Sequence, residues 1–223
     1  MRSQHSGRAS LRLLLLLFLV GTLPAGTAGA EAPFAALTVT PFGSQVYDIT
    51  TGVTTLPEGG TITDQDTGVS LDAKRIEYRA QDYVEAWSVS LAGSFGKVAA
   101  EALRIDLAAG LLTASGGLHL ERDALAVDAL NLRFDANTQI AVFGGGVTST
   151  EPAFTADRVL LDVTNGDVLL EGEYVFDGGL FTMRSPEGGG MLALKLVVQD
   201  GVAGYDAATE VTPEMLARFS AEL

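Results

Sequence analysis

Beyond residue 70 apolar and polar residues alternate with a period of two. Leu103, Ile105 and Leu107 alternate with Arg104 and Asp106, and Leu130, Leu132 and Phe134 alternate with Asn131, Arg133 and Asp135. Such alternation belongs to a strand with one buried face, not to a helix. Turn-forming residues punctuate it at Ala109-Gly110, Arg122-Asp123, Asn137, Glu151-Pro152, Asn165-Gly166 and Gly178-Gly179, about 13 to 15 residues apart. The pattern therefore predicts strands of about ten residues joined by short turns. Asn165-Gly166 is the strongest hairpin signal, because both residues tolerate the positive φ of a tight type I′ turn. Only the last segment, "TPEMLARFSAEL", changes period. Thr212 caps it, Pro213 enters its first turn, and Met215, Leu216, Phe219 and Leu223 make an apolar stripe. A helix is expected near residues 213–222, able to cover an open sheet edge.

The strand pattern also repeats. Three segments share a frame of Ala, two residues, apolar, one residue, apolar, Asp, nine residues, Gly. They are Ala100-Leu103-Ile105-Asp106-Gly116, Ala129-Leu132-Phe134-Asp135-Gly145 and Ala156-Val159-Leu161-Asp162-Gly172, spaced 29 and 27 residues apart. "LDAKRIEY" precedes them as a weaker copy, and "ALKLVVQ" from Ala193 follows as a decayed one. A fixed period of this length marks a repeat architecture, here with two strands per copy. Asp106, Asp135 and Asp162 fall just before turns, where a short acceptor bonds turn amides. Gly116, Gly145 and Gly172 fall mid-strand, where glycine marks a bend or bulge. Long strands bent near the middle suit a sheet folded over on itself.

Charge and composition narrow the setting. Arg2, Arg8 and Arg12 precede the apolar run Leu13 to Val20, and Ala28-Gly29-Ala30 offers small residues at a cleavage site. This layout predicts a cleaved secretory signal peptide over residues 1–30, its apolar core being far below the roughly 20 residues that span a bilayer. Without those three arginines the chain keeps 11 Lys+Arg against 28 Asp+Glu, a net charge of −17. Such a surface repels nucleic acid and anionic headgroups. The absence of cysteine excludes a disulfide scaffold, thiol catalysis and cysteine-ligated metals.

Catalytic signatures are missing. His119 is the single histidine beyond residue 30, and it faces away from its apolar neighbours Leu118 and Leu120. No G-x-S-x-G, H-E-x-x-H or P-loop occurs. The one cluster with the flavour of a calcium loop, Asp162, Asn165, Asp167 and Glu171, lacks the glycine and spacing of a true one. No enzyme activity, catalytic residue, metal or cofactor is expected. The missing aromatic girdles and the uniform turns argue against an outer-membrane barrel.

The repeat, clearest in "AEALRIDLAAGLLTASGGLHL" and "ADRVLLDVTNGDVLLEGEYVF", resembles the OstA-like periplasmic proteins of lipopolysaccharide transport over residues 70–180. That resemblance implies an all-β fold, an elongated antiparallel β-jelly roll of repeated strand pairs, about 28 residues per repeat. It also implies acyl chains carried in an apolar interior, copies stacked end to end as a homo-oligomer, and partner transport components at the inner and outer membranes. On this reading residues 1–30 are the signal peptide, 31–69 an N-terminal extension with the first strands, 70–205 the repeat β domain and 206–223 the C-terminal helix. The expected location is the periplasm, the expected ligand lipopolysaccharide or a similar envelope lipid, and no nucleic acid is a partner. Residues expected on the lipid-facing inner side are Leu103, Ile105, Leu107, Leu118, Leu120, Leu132, Phe134, Ile140, Val142, Val159, Leu161, Leu170, Tyr174 and Phe176. Two features depart from the family: the acidic surface, which would repel lipid phosphates, and the terminal helix. The alternative is a structural or adhesive envelope repeat protein with a solid core and no ligand.

Overall fold

The computed structural model describes residues 37–64 and 68–223, so the expected export segment lies outside the described residues. The N-terminal part forms β1 (Leu37–Pro41), β2 (Val46–Asp48), β3 (Val53–Leu56) and β4 (Gly60–Asp64). An antiparallel meander of eight long strands follows: β5 (Val69–Arg79), β6 (Tyr83–Gly93), β7 (Gly96–Asp106), β8 (Leu111–Arg122), β9 (Leu125–Asp135), β10 (Ile140–Glu151), β11 (Ala153–Asp162) and β12 (Val168–Asp177). With β13 (Thr182–Arg184), β14 (Gly190–Gln199) and β15 (Val202–Ala208) they make a single 15-stranded antiparallel sheet. Among the described residues there is one helix, α1 (Pro213–Phe219). The fold is all-β, as the alternation predicts. β1 and β15 stand at opposite ends of the strand order, so the sheet stays open.

Each long strand is bent where its buried residues break step. In β7 the buried positions are Val98 and Ala100, then Leu103 and Ile105; in β11 those facing the same core are Phe154 and Ala156, then Val159 and Leu161. The glycine-bearing strands β8, β10 and β12 each carry one residue more at the bend than their neighbours, and the registers shift there. These are β-bulges, which bend a strand and sharpen its twist. Gly116, Gly145 and Gly172 sit in them, with φ of 78°, 84° and 88°. A Cβ on Gly172 would also lie 2.5 Å from the Asp157 carboxylate and 2.8 Å from its Cβ. Gly172→Ala is therefore expected to cost about 1–3 kcal/mol of stability from backbone strain alone. An unchanged urea midpoint would remove the reason for glycine at this step of the repeat.

Because every strand bends at the same level, the sheet folds into two facing layers. The front layer runs β2, β3, one half of β5 to β12, then β14 and β15; the back layer runs β1, β4, the other halves of β5 to β12, then β13. Inward residues of both layers form one apolar core. At the open seam the hairpin ends of the two layers meet: Phe95, in the β6–β7 turn, reaches Phe134, near the far end of β9, with ring centroids 6.2 Å apart.

The turns fall where the sequence places them, but one differs in kind. At Asn165-Gly166 only Gly166 takes a positive φ, 77°. The Asp162 carboxylate accepts from the N–H groups of Thr164 and Asn165, both at 3.0 Å, and the Gly166 N–H donates to the Asp162 carbonyl at 2.7 Å. This acceptor holds a wider loop in place of a two-residue turn. The tight turn is instead Asp200-Gly201, with φ of 52° and 80° between the paired Gln199 and Val202.

Helix α1, which the sequence left free to cover a sheet edge, packs on a face of the sheet. The Thr212 hydroxyl accepts from the Met215 N–H at 3.3 Å, an N-cap. Met215 and Phe219 bury against Ile140, Leu160, Leu169 and Ala193, all on the outer side of the front layer. Strands in this region read as continuous apolar runs, "IAVF", "VLL" and "LAL", because both of their faces are covered. Charged groups frame the dock. Arg218 donates to Asp162 and Asp167, each at 2.6 Å, Arg133 pairs with Glu222 at 2.5 Å, and Arg158 donates to the Glu222 carbonyl.

Candidate functional site

Between the layers lies an apolar cavity of about 280 Å³. The back layer supplies Val69, Leu91, Val98 and Leu120, the front layer Ile105, Leu112, Leu132, Ala141, Phe143 and Leu161. Phe95 and Phe134 stand at its seam, with Ala136 and Val163 from the turns of the front layer. Only Ser94 and Gln139 bring polar side chains, and the Gln139 amide is already turned to the Ala136 carbonyl at 2.8 Å. Ala136 and Ala141 contribute small side chains to the cavity wall. Farther toward the C-terminal end the front layer contributes Val159, Val168, Leu170, Leu192 and Leu194, all fully buried in the core.

Of the residues expected on the lipid-facing side, Ile105, Leu120, Leu132, Phe134 and Leu161 line the cavity. Leu103, Leu118, Val159, Leu170, Tyr174 and Phe176 are buried in the same core away from it, and Leu107 is partly buried against that core. Ile140 and Val142 correct the expectation, since they lie on the outer side of β10 among the residues around α1. In β10 it is Ala141 and Phe143 that turn inward. The error has a physical origin: with both faces of β10 buried, hydrophobicity no longer identifies the inner one. The expectation also passed over Leu112, Ala141 and Phe143 of the front layer, Val69, Leu91 and Val98 of the back layer and the turn residues Ser94, Phe95, Ala136, Gln139 and Val163; the glycine bulges were the available signal for the strand phase.

The repeat aspartates make the turn contacts expected of them. Asp106 accepts from the Ala109 N–H at 2.9 Å and Asp135 from the Asn137 N–H at 2.8 Å. Asp162 and Asp167 are engaged by Arg218, so the cluster resembling a calcium loop is an ion-paired dock for α1. Among the described residues no group of three or more His, Cys, Asp or Glu is arranged to hold a metal ion, and no helix is long and apolar enough to cross a membrane.

His119 is half exposed on the outside of β8, its Nδ1 2.7 Å from Asp128 Oδ1 and its Nε2 3.3 Å from Glu121 Oε1. The hydrogen bond to Asp128 raises its pKa above the ordinary value, with burial opposing and Glu121 assisting. A raised folded-state pKa gives stability that is fully present below the unfolded value near 6.5 and is lost as pH rises through the folded one. His119→Gln is accordingly expected to melt below the wild type at pH 5.5, with the gap closing by pH 8. A gap independent of pH would show that protonation is not the cause.

The chain matches no protein-family model, and comparison with curated proteins gives no match. What fold and site define is a class: a two-layered open β roll with an apolar cavity between its layers.

Proposed function

We propose that this chain is a periplasmic lipid-binding or lipid-transport protein, without enzymatic activity. It shields acyl chains of lipopolysaccharide or a similar envelope lipid on the way between inner and outer membranes. The observation that carries this reading is the apolar cavity between layers built from a repeated strand pair. Every methylene hidden from water there is worth about 0.8 kcal/mol, and an open seam gives a chain a way in. The cavity is near the lower limit of ligand pockets, roughly 300 Å³. It admits acyl segments without rearrangement, whereas a larger lipid requires the layers to part at the seam.

End-to-end stacking with further copies or with membrane-bound transport components is supported by the ends of the roll. Among the described residues β2 pairs only with β3, and β15 only with β14. β2 exposes Val46 and Tyr47, and Val198 and Val202 are exposed at the other end. Unpaired edges of this kind are where another strand adds. The full burial of Val159, Val168, Leu170, Leu192 and Leu194 favours the second reading, a solid envelope scaffold.

Ala141→Phe separates the two. The new ring fills the cavity without adding a polar group, so a lipid carrier should lose at least about tenfold in affinity for a fluorescent fatty-acid probe while its melting temperature changes little. Native mass spectrometry of the wild type should show co-purifying lipid that the variant lacks. A wild type that binds neither probe nor lipid overturns the carrier reading.

A further inference from the structure

The apolar cavity has a polar neighbour. Ser94 borders both the cavity and a second cleft that contains Lys97, Glu121, Arg122, Asp123 and Glu151. Arg122 is the next residue after the cavity-lining Leu120 on the same face of β8, roughly 7 Å along the strand. Its side chain is only 13% exposed, yet its one ion pair is a long contact, Nε to the Asp123 carboxylate at 3.4 Å. Nη1 is buried with no hydrogen-bond partner, the only cationic nitrogen so placed among the described residues. Tyr205, from the front layer, lies within electrostatic reach of Arg122 and donates to the Gly166 carbonyl at 3.1 Å, but its oxygen accepts no hydrogen bond from Nη1. A buried guanidinium with an idle donor is costly unless an anion completes it.

We infer that Arg122 receives the carboxylate of a single-chain fatty acid whose tail occupies the apolar cavity. This rests on the lipid-cavity reading above and adds the chemistry of the head. The volume sets the tail. An apolar cavity of about 150 Å³ takes the six carbons of benzene, so 280 Å³ takes roughly a dozen in one chain. The cleft sets the charge. Glu121, Asp123 and Glu151 outnumber Arg122 and Lys97 there, so Nη1 offers one idle donor to an anionic head and every further negative charge meets carboxylates. A monoanionic carboxylate, held in a charge-assisted hydrogen bond, fits that arrangement better than a phosphate dianion.

The test is calorimetric titration of the purified protein at pH 8 with dodecanoate, dodecyl phosphate and dodecan-1-ol, repeated on Arg122→Gln and Arg122→Lys. The wild type should bind dodecanoate at least about tenfold more tightly than the alcohol and no less tightly than the phosphate. Arg122→Gln should lose that preference while keeping its affinity for dodecan-1-ol, and Arg122→Lys should retain most of it. The melting temperature of ligand-free Arg122→Gln should equal or exceed that of the wild type, since a mostly buried guanidinium with an idle donor is removed. An arginine with a merely structural role would instead lower it. Equal binding of dodecanoate and dodecan-1-ol by the wild type, or a preference surviving in Arg122→Gln, overturns the inference and leaves the cavity reading standing. A preference for dodecyl phosphate overturns the carboxylate assignment, and binding of none of the three overturns both readings.

Discussion

Phe219→Ala is expected to lower the unfolding free energy by about 3–5 kcal/mol, the range for removing a buried aromatic ring. Phe219 is completely buried against Ile140, Leu160, Leu169 and Ala193. If α1 detaches, those outer-face residues meet water and the loss is no smaller. Arg218→Ala should act through the same dock, since it leaves the nearly buried carboxylates of Asp162 and Asp167 without their cation. The dock also carries a pH signature. Burial pushes the Asp162 carboxyl up, but hydrogen bonds from the Asn165 side chain and backbone and the charge of Arg218 outweigh it and hold the carboxyl below its usual value. A depressed folded-state pKa gives stability that is present above the unfolded value near 3.9 and lost as pH falls through the folded one. Acid should therefore loosen α1 first, and Asp162→Asn should flatten that dependence. Urea unfolding from pH 3 to 7 measures both, and a Phe219→Ala midpoint close to the wild type would mean that the helix contributes little.

The second large effect separates two positions that occupy the same place in successive repeats. Leu161→Ser is expected to cost about 3–5 kcal/mol, because Leu161 is only 1% exposed and the substitution combines a lost side chain with a buried hydroxyl. Phe134→Ser, at the half-buried seam, should cost markedly less stability and more binding. Its ring faces Phe95 across the opening, and its hydroxyl replacement stays in reach of water. A thermal melt paired with photocrosslinking of a lipid probe at position 134 reads the two quantities together. Large losses of melting temperature at both positions without any crosslink would favour the solid scaffold over the carrier.

Legibility in the sequence followed the range of the forces involved. The period-two alternation, the turns and the cap at Thr212 rest on contacts between near neighbours, and each was readable where it stands. The repeat Asp106, Asp135 and Asp162 belong to this class, since the amides they bind lie within three residues. Gly116, Gly145 and Gly172 announced bends because glycine is the residue that takes a positive φ without strain, and it recurs at one place in the repeat.

The sequence by itself thus determined an all-β chain of bent, paired strands with a terminal helix. Only the tertiary structure decided which face of β10 looks inward, where α1 docks and where the core is left incomplete. Ile140 and Ala141 are both buried, one under the helix and one beside the cavity, and no local pattern tells them apart. The idle nitrogen of Arg122 is likewise a property of the folded seam, set by what residues from the opposite layer fail to offer it. Such features depend on groups brought together from distant parts of the chain by the folding of one layer over the other, and a pattern of neighbours carries no record of them.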